Sequence, residues 1–255
     1  MVLENKNILV TGALGLLGNS LVKELLRHGA KVLASDINIK KLREKYHIKK
    51  ESLNSNQIDI FELDLNKKSD LVRFFNDLNV KLDGVVNCSY PKNRNYGNHF
   101  FDVDIKDFNE NISLNLGSAF QLMQFCAKYF QKNKNDFSMV NIGSIYGVVS
   151  PSFEIYSDTK MTSPVEYSAI KSALLHLSKY IVKYINDSRF RINVVSPGGI
   201  YDDQPESFLK AYKKLTLGKG MLDADDVLGT IIFLLSSNSK FINGQNFIVD
   251  DGFVI

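Results

Sequence analysis

Short β-branched runs alternate with longer helical patterns from one end of this sequence to the other. The runs lie near Asn7 to Thr11, Lys31 to Ser35, Gln57 to Phe61, Gly84 to Cys88, Ser138 to Ile142, Arg191 to Val195 and Asn246 to Val249. Each except the last is followed by a plausible helix, which is the pattern of βαβ units and of a parallel sheet covered on both faces. About seven strands in a doubly wound α/β sheet are therefore expected. The first helix, Leu16 to His28, carries apolar residues at Leu17, Leu21, Leu25 and Leu26, and Gly29 stands where a left-handed cap ends it. No repeat or low-complexity linker interrupts the pattern, so residues 1–255 are expected to form a single domain; the Asn/Lys-rich stretches at Lys40 to Asn56 and Gln131 to Asp136 read as solvated helix ends and loops.

Composition excludes several classes of function. The net charge is +3 and the lysines are dispersed, which argues against a nucleic-acid partner. Cys88 and Cys126 form no CxxC or Cys/His cluster, so neither a disulfide scaffold nor a metal site is expected. Met1 to Val10 lacks the pattern of an export signal, and the most apolar later stretch, Val227 to Leu235, is too short to span a bilayer. A cytoplasmic protein with no membrane partner is expected.

The sequence Thr11-Gly12-Ala13-Leu14-Gly15-Leu16-Leu17-Gly18 follows the first strand and opens the first helix. A dinucleotide pyrophosphate needs backbone N–H groups with no Cβ in the way, and a helix N-terminus adds partial positive charge. Gly12 and Gly15 permit that approach and Gly18 permits close packing on the sheet. The glycines alone leave open a tight turn that binds nothing. Asp36 shifts the balance, since it lies 18 residues beyond Gly18, immediately after the second strand, where a carboxylate accepts from adenosine ribose hydroxyls. The same charge repels a 2′-phosphate, so NAD is expected over NADP; a helix cap or surface carboxylate is the alternative role for Asp36.

Tyr167 and Lys171 stand four residues apart, one turn from each other on one helix face. Ser163-Pro164-Val165-Glu166 reads as an N-cap, a first-turn proline and the glutamate of a capping box. The helix dipole and the Lys171 charge are both expected to lower the phenol pKa and suit Tyr167 to proton transfer. A YxxxK pair by itself is common, so its neighbours decide its meaning.

With Asn115-Leu116-Gly117-Ser118, Asn141-Ile142-Gly143-Ser144, Ser196-Pro197-Gly198-Gly199-Ile200 and Val249-Asp250-Asp251-Gly252 in order along the chain, the sequence resembles the short-chain dehydrogenase/reductase superfamily from about Lys6 to Gly252. The resemblance implies a Rossmann-type fold and an NAD-dependent oxidoreductase. It implies catalytic roles for Asn115 as support of a water relay, Ser144 as donor to the substrate oxygen, Tyr167 as proton donor and acceptor, and Lys171 as the cation that biases Tyr167 and holds the nicotinamide ribose. Implied cofactor contacts are Gly12, Leu14, Gly15, Leu16, Leu17, Asp36, Ile37, Asp64, Leu65, Asn87, Cys88, Ser89, Tyr167, Lys171, Pro197, Gly198 and Ile200. A homodimer or homotetramer built on the helices of Asn115 and Tyr167 is implied as well.

The match is mixed. The glycine spacing is that of the family's extended branch, whereas the Pro-Gly turn and the C-terminal segment look like the compact branch. After the fourth strand, Asn87-Cys88-Ser89-Tyr90 replaces the family's Asn-Asn-Ala-Gly, so Tyr90 stands where a glycine is usual. Between Ser144 and Tyr167 runs an excursion, Val148 to Thr162, that is either a surface loop or part of a binding pocket.

In detail the chain is similar to bacterial oxidoreductases of flagellin modification that serve legionaminic-type nonulosonic acid pathways. A small, sugar-like and possibly phosphorylated substrate is therefore expected, with Tyr146 and Tyr201 near it and Lys92, Arg94 and Lys160 contacting its anionic or hydroxylated end. Solvated surface charge is the alternative for those three cations. An epimerase or dehydratase with tightly held NAD, and a noncatalytic dinucleotide sensor, are the competing functions.

Overall fold

The computed structural model describes residues 1–46 and 57–255. Seven parallel strands form one sheet in the order β3-β2-β1-β4-β5-β6-β7: β1 (Asn7–Thr11), β2 (Lys31–Asp36), β3 (Ile58–Glu62), β4 (Gly84–Asn87), β5 (Phe137–Ile142), β6 (Phe190–Pro197) and β7 (Asn246–Val249). The expected strands are present, β1 and β7 with the expected bounds and the others displaced by at most two residues at an end. The doubly wound expectation holds, and the order reverses between β1 and β4, the switch point where such sheets open a crevice at their carboxyl ends.

Side-chain alternation along the strands builds two cores. Ile8 and Val10 point to the face covered by α1 (Leu16–Arg27) and α8 (Ala224–Leu235), where they meet Leu21, Leu25, Val227 and Ile231. Leu9 points to the opposite face, onto α3 (Lys68–Asp77), α5 (Ser118–Asn133) and α6 (Val165–Ile185), with Leu71, Leu122, Phe130 and Leu174. Three shorter helices, α2 (Ile39–Lys45), α4 (Ile105–Ile112) and α7 (Glu206–Lys213), complete the layers. The expected cap of α1 is in place: the helix ends at Arg27, His28 closes it, and Gly29 takes φ +84°. Of the Asn/Lys-rich stretch Lys40 to Asn56, the residues beyond Tyr46 lie outside the described residues; those before it form most of α2. In the second stretch, Gln131 to Asn133 are the last residues of α5, and Lys134 caps it in the left-handed conformation.

Candidate active site

The turn after β1 forms because two glycines let its ends interlock. Gly12 adopts φ +66°, and a Cβ on Gly18 would stand 2.2 Å from the Gly12 carbonyl oxygen. The first turn of α1 therefore lies against the loop with no side chain between them. Gly15 caps that helix without a side-chain hydrogen bond, and no acidic residue occupies its first turn. Its leading N–H groups are thus left for an outside acceptor, which is the arrangement that receives phosphate. Asp36, at the end of β2, accepts from the Leu14 N–H at 3.2 Å and so stands beside the turn. The Tyr46 hydroxyl donates to the Ala13 carbonyl at 2.7 Å and braces the same loop.

At the carboxyl ends of the strands lies a cavity of about 490 Å³, within the range of small-ligand sites. Leu16 and Leu17 of α1 reach one side, Cys88, Ser89 and Tyr90 enter after β4, Ile142 to Tyr146 after β5, and Pro197 to Ile200 after β6. Tyr167 and Lys171 project from the first two turns of α6. Ser144 is buried, accepts from the Tyr146 N–H at 3.1 Å and lines the cavity together with Tyr167. Lys171 donates to the Ile142 carbonyl at 2.8 Å, and its ammonium stands 5.6 Å from the Tyr167 ring centre. Serine, tyrosine and lysine are thus brought together on one wall.

Electrostatics of the pair differ from the sequence expectation. Burial raises the Tyr167 phenol above its ordinary pKa, with the Ser144 hydroxyl pulling the other way. Burial also pushes the Lys171 amine down, to about 8. Desolvation is the largest cause for both groups because both are enclosed. Tyr167 therefore holds its proton at neutral pH, while Lys171 stays largely protonated behind it.

The start of α6 departs from the expected capping box. Pro164 is the capping residue, with ψ 139°, so Val165 is the first helical residue and Tyr167 the third; Ser163 and Glu166 are out of phase for a box. Glu166 turns inward instead, where one carboxylate oxygen accepts from the Asn111 side-chain amide at 3.0 Å and the other has no partner among the described residues. The Ser163 hydroxyl is likewise buried without a partner, on the cavity wall.

The remaining expected residues divide. Asn115 lies in a π-helical turn, Ser113–Gly117, between α4 and α5; it is buried, donates to the Pro91 carbonyl at 3.5 Å and does not line the cavity. Asn87 is buried and accepts from the Thr11 hydroxyl at 2.9 Å, tying β4 to β1 below the turn. Asp64 is engaged locally with Asn66 and Lys67, Leu65 is buried, and Ile37 is 67% exposed. Gly198 donates to the Val249 carbonyl at 2.8 Å, which holds the Pro197-Gly198 turn at the cavity edge.

Tyr146 lines the cavity, but Lys92, Arg94, Lys160 and Tyr201 are exposed and outside its lining. For Lys92 and Arg94 the cause is a loop pinned to α4: Asn93 donates to Asp107 and Glu110, and Asn95 to Asp107, so Tyr96 turns inward and these two cations outward. In place of a basic cleft the structure assembles phenols. Tyr90, Tyr96, Tyr146, Tyr156 and Tyr212 surround Tyr167, joined by Phe208, Met161 and Met221. Composition does not reveal this ring, because its members come from five segments; the only local signal is the aromatic density of the excursion and of α7.

A parallel sheet with a bare glycine turn at its switch point and a Ser/Tyr/Lys wall beside it is the framework of a dinucleotide-dependent oxidoreductase. A family model described as enoyl-(acyl carrier protein) reductase matches residues 12–254, and the chain belongs to this short-chain dehydrogenase/reductase family. Post-translational flagellin modification protein A of Campylobacter coli is 37% identical over 98% of this chain and 99% of its own length. A 7alpha-hydroxysteroid dehydrogenase of Bacteroides fragilis is 27% identical over 99% of this chain and 95% of its length. Among solved structures, a short-chain dehydrogenase of Leptospira borgpetersenii with bound NAD+ is 29% identical, with a TM-score of 0.86, covering 99% of this chain and 94% of that one.

Proposed function

We propose that the protein is an NAD(H)-dependent oxidoreductase that interconverts a hydroxyl and a carbonyl on a polyhydroxylated, sugar-like substrate, in the making of a bacterial flagellin or surface sugar. The observation that carries this reading is the placement of Ser144, Tyr167 and Lys171 on a cavity whose other side opens to the uncapped first turn of α1. The Gly12/Gly18 contact leaves the backbone of that turn bare, and Asp36 adds a carboxylate beside it, so the residues present fit a dinucleotide with free ribose hydroxyls. Gly12 to Leu17 would hold the phosphates, Asp36 the adenosine ribose, Lys171 the nicotinamide ribose. When bound, NAD(H) supplies the hydride. The chain's own part is to orient the substrate oxygen at Ser144 and move a proton at the Tyr167 oxygen.

For the substrate, support comes from the flagellin-modification relative and from the tyrosine ring. Aromatic faces pack against the C–H faces of a sugar while phenol hydroxyls and the unpartnered Ser163 hydroxyl hydrogen-bond its periphery. Neither Lys92, Arg94 nor Lys160 supports an acidic end, so keto- and amino-sugars are preferred over phosphorylated ones. The test is a panel of keto-sugars, amino-sugars, nucleotide sugars and a hydroxysteroid with each of NAD(H) and NADP(H), followed at the NADH absorbance band. Turnover confined to the steroid or another apolar ketone would overturn the sugar reading. Asp36→Ala is expected to narrow the preference for NADH over NADPH by about tenfold or more in calorimetric titration, since it removes both the ribose acceptor and the repulsion of a 2′-phosphate. Tighter NADPH than NADH binding by the unmodified protein would refute the role of Asp36.

A further inference from the structure

Lys171 is 6% exposed, and among the described residues no carboxylate pairs with it. Its ammonium has one hydrogen bond, to the Ile142 carbonyl, and two aromatic faces: Tyr167 on its own helix and Tyr90 from the end of β4, the latter at 5.2 Å. The titratable groups facing it are thus Tyr90 and Cys88 from the β4 side and Tyr167 from α6; burial pushes the Cys88 thiol up to about 12, so that group is neutral. Glu166 bears on the Tyr90 and Tyr96 hydroxyls and is bonded to Asn111. A buried ammonium needs compensation, and a ring face within about 6 Å provides it.

Tyr90 is itself held. Its ring meets the Tyr167 ring edge to face at 5.7 Å and the Tyr96 ring at 5.8 Å, and its hydroxyl pairs with that of Tyr96. Tyr96 in turn sits on the loop that Asn93 and Asn95 tie to α4. A glycine at this position, usual in the family this chain resembles, would offer none of these contacts.

We propose that Tyr90 is a positioning residue of the reaction, whose ring supplies the second aromatic face that keeps the Lys171 ammonium charged and fixes the Tyr167 phenol beside it. The proposal rests on Tyr167 and Lys171 being the proton-handling pair, but its test needs neither substrate nor cofactor. In protein labelled with 13C at lysine Cε, the Lys171 resonance, assigned with Lys171→Met, is followed through pH by NMR. The wild-type signal is expected to titrate at about 8. In Tyr90→Leu the midpoint falls by about one pH unit, and in Tyr90→Phe, which keeps the ring, it stays within about 0.3 unit.

An unmoved midpoint in the leucine variant, or an equal fall in the phenylalanine variant, overturns the proposal. Should the leucine variant not fold, Tyr90→Met carries the same comparison. If neither folds while the phenylalanine variant does, the ring is structural and the proposal fails. A displaced titration in a protein that then transfers no hydride to any sugar would leave Tyr90 as proposed and reject the functional reading instead.

Discussion

Tyr167 keeps its proton in neutral solution because enclosure outweighs the pull of the Ser144 hydroxyl, and the reaction proposed above needs that proton to move. Tyr167→Phe keeps the ring and its edge contact with Tyr90 and removes only the moving proton. Turnover is expected to fall by about 10²-fold or more, with NADH affinity, read by fluorescence titration, within about threefold of wild type. A phenylalanine variant with wild-type kcat would remove Tyr167 from the chemistry. The pairing of Tyr167 with Lys171 was legible because helical spacing alone puts them on one face. The roles of Ser163 and Glu166 were not, since a one-residue shift at Pro164 turns both inward. Nor were the outward directions of Lys92 and Arg94, which depend on bonds from Asn93 and Asn95 to carboxylates on α4.

At the scale of elements, α4 is joined to α6 by one buried hydrogen bond, from the Asn111 amide to Glu166. The second oxygen of that carboxylate has no partner among the described residues. Asn111→Leu removes the donor and leaves the buried Glu166 carboxyl with no partner among the described residues, a change expected to cost about 3 kcal/mol. It reads out as a lower urea midpoint at unchanged slope. Adding Glu166→Leu should recover most of the loss, because the stranded carboxyl leaves with its donor; a double variant as weak as the single one would show that packing, not the bond, joins the helices. Strands were legible nearly to the residue because a fully buried parallel strand is a run of β-branched and apolar residues flanked by turns. The π turn at Ser113–Gly117 was not, since it differs from continuous α-helix only by a shift in hydrogen-bond register.

Across the whole molecule, burial raises the phenols of Tyr46, Tyr90, Tyr96, Tyr146, Tyr156, Tyr167 and Tyr212, the last to about 12. Above pH 10 the unfolded chain loses these protons first, so the native state binds more of them and stability falls as pH rises. Lys171 acts oppositely: with its native value near 8 and its unfolded value at 10.5, the unfolded chain binds the extra proton between those limits, and stability rises there. Seven phenols outweigh one amine, so Tm should hold to about pH 10 and then drop. Phenolate absorbance at about 295 nm should rise in step with unfolding. A constant Tm through pH 11 would show that the phenols are not enclosed as described. The order of the strands has a separate meaning for a chain leaving the ribosome. β2 is laid on one side of β1 and β3 on β2; β4 then takes the other side of β1, and β5, β6 and β7 each extend the edge left by the strand before. No later strand has to force its way between two that are already paired, and synthesis can build the sheet outward from its first strand without undoing any earlier pairing.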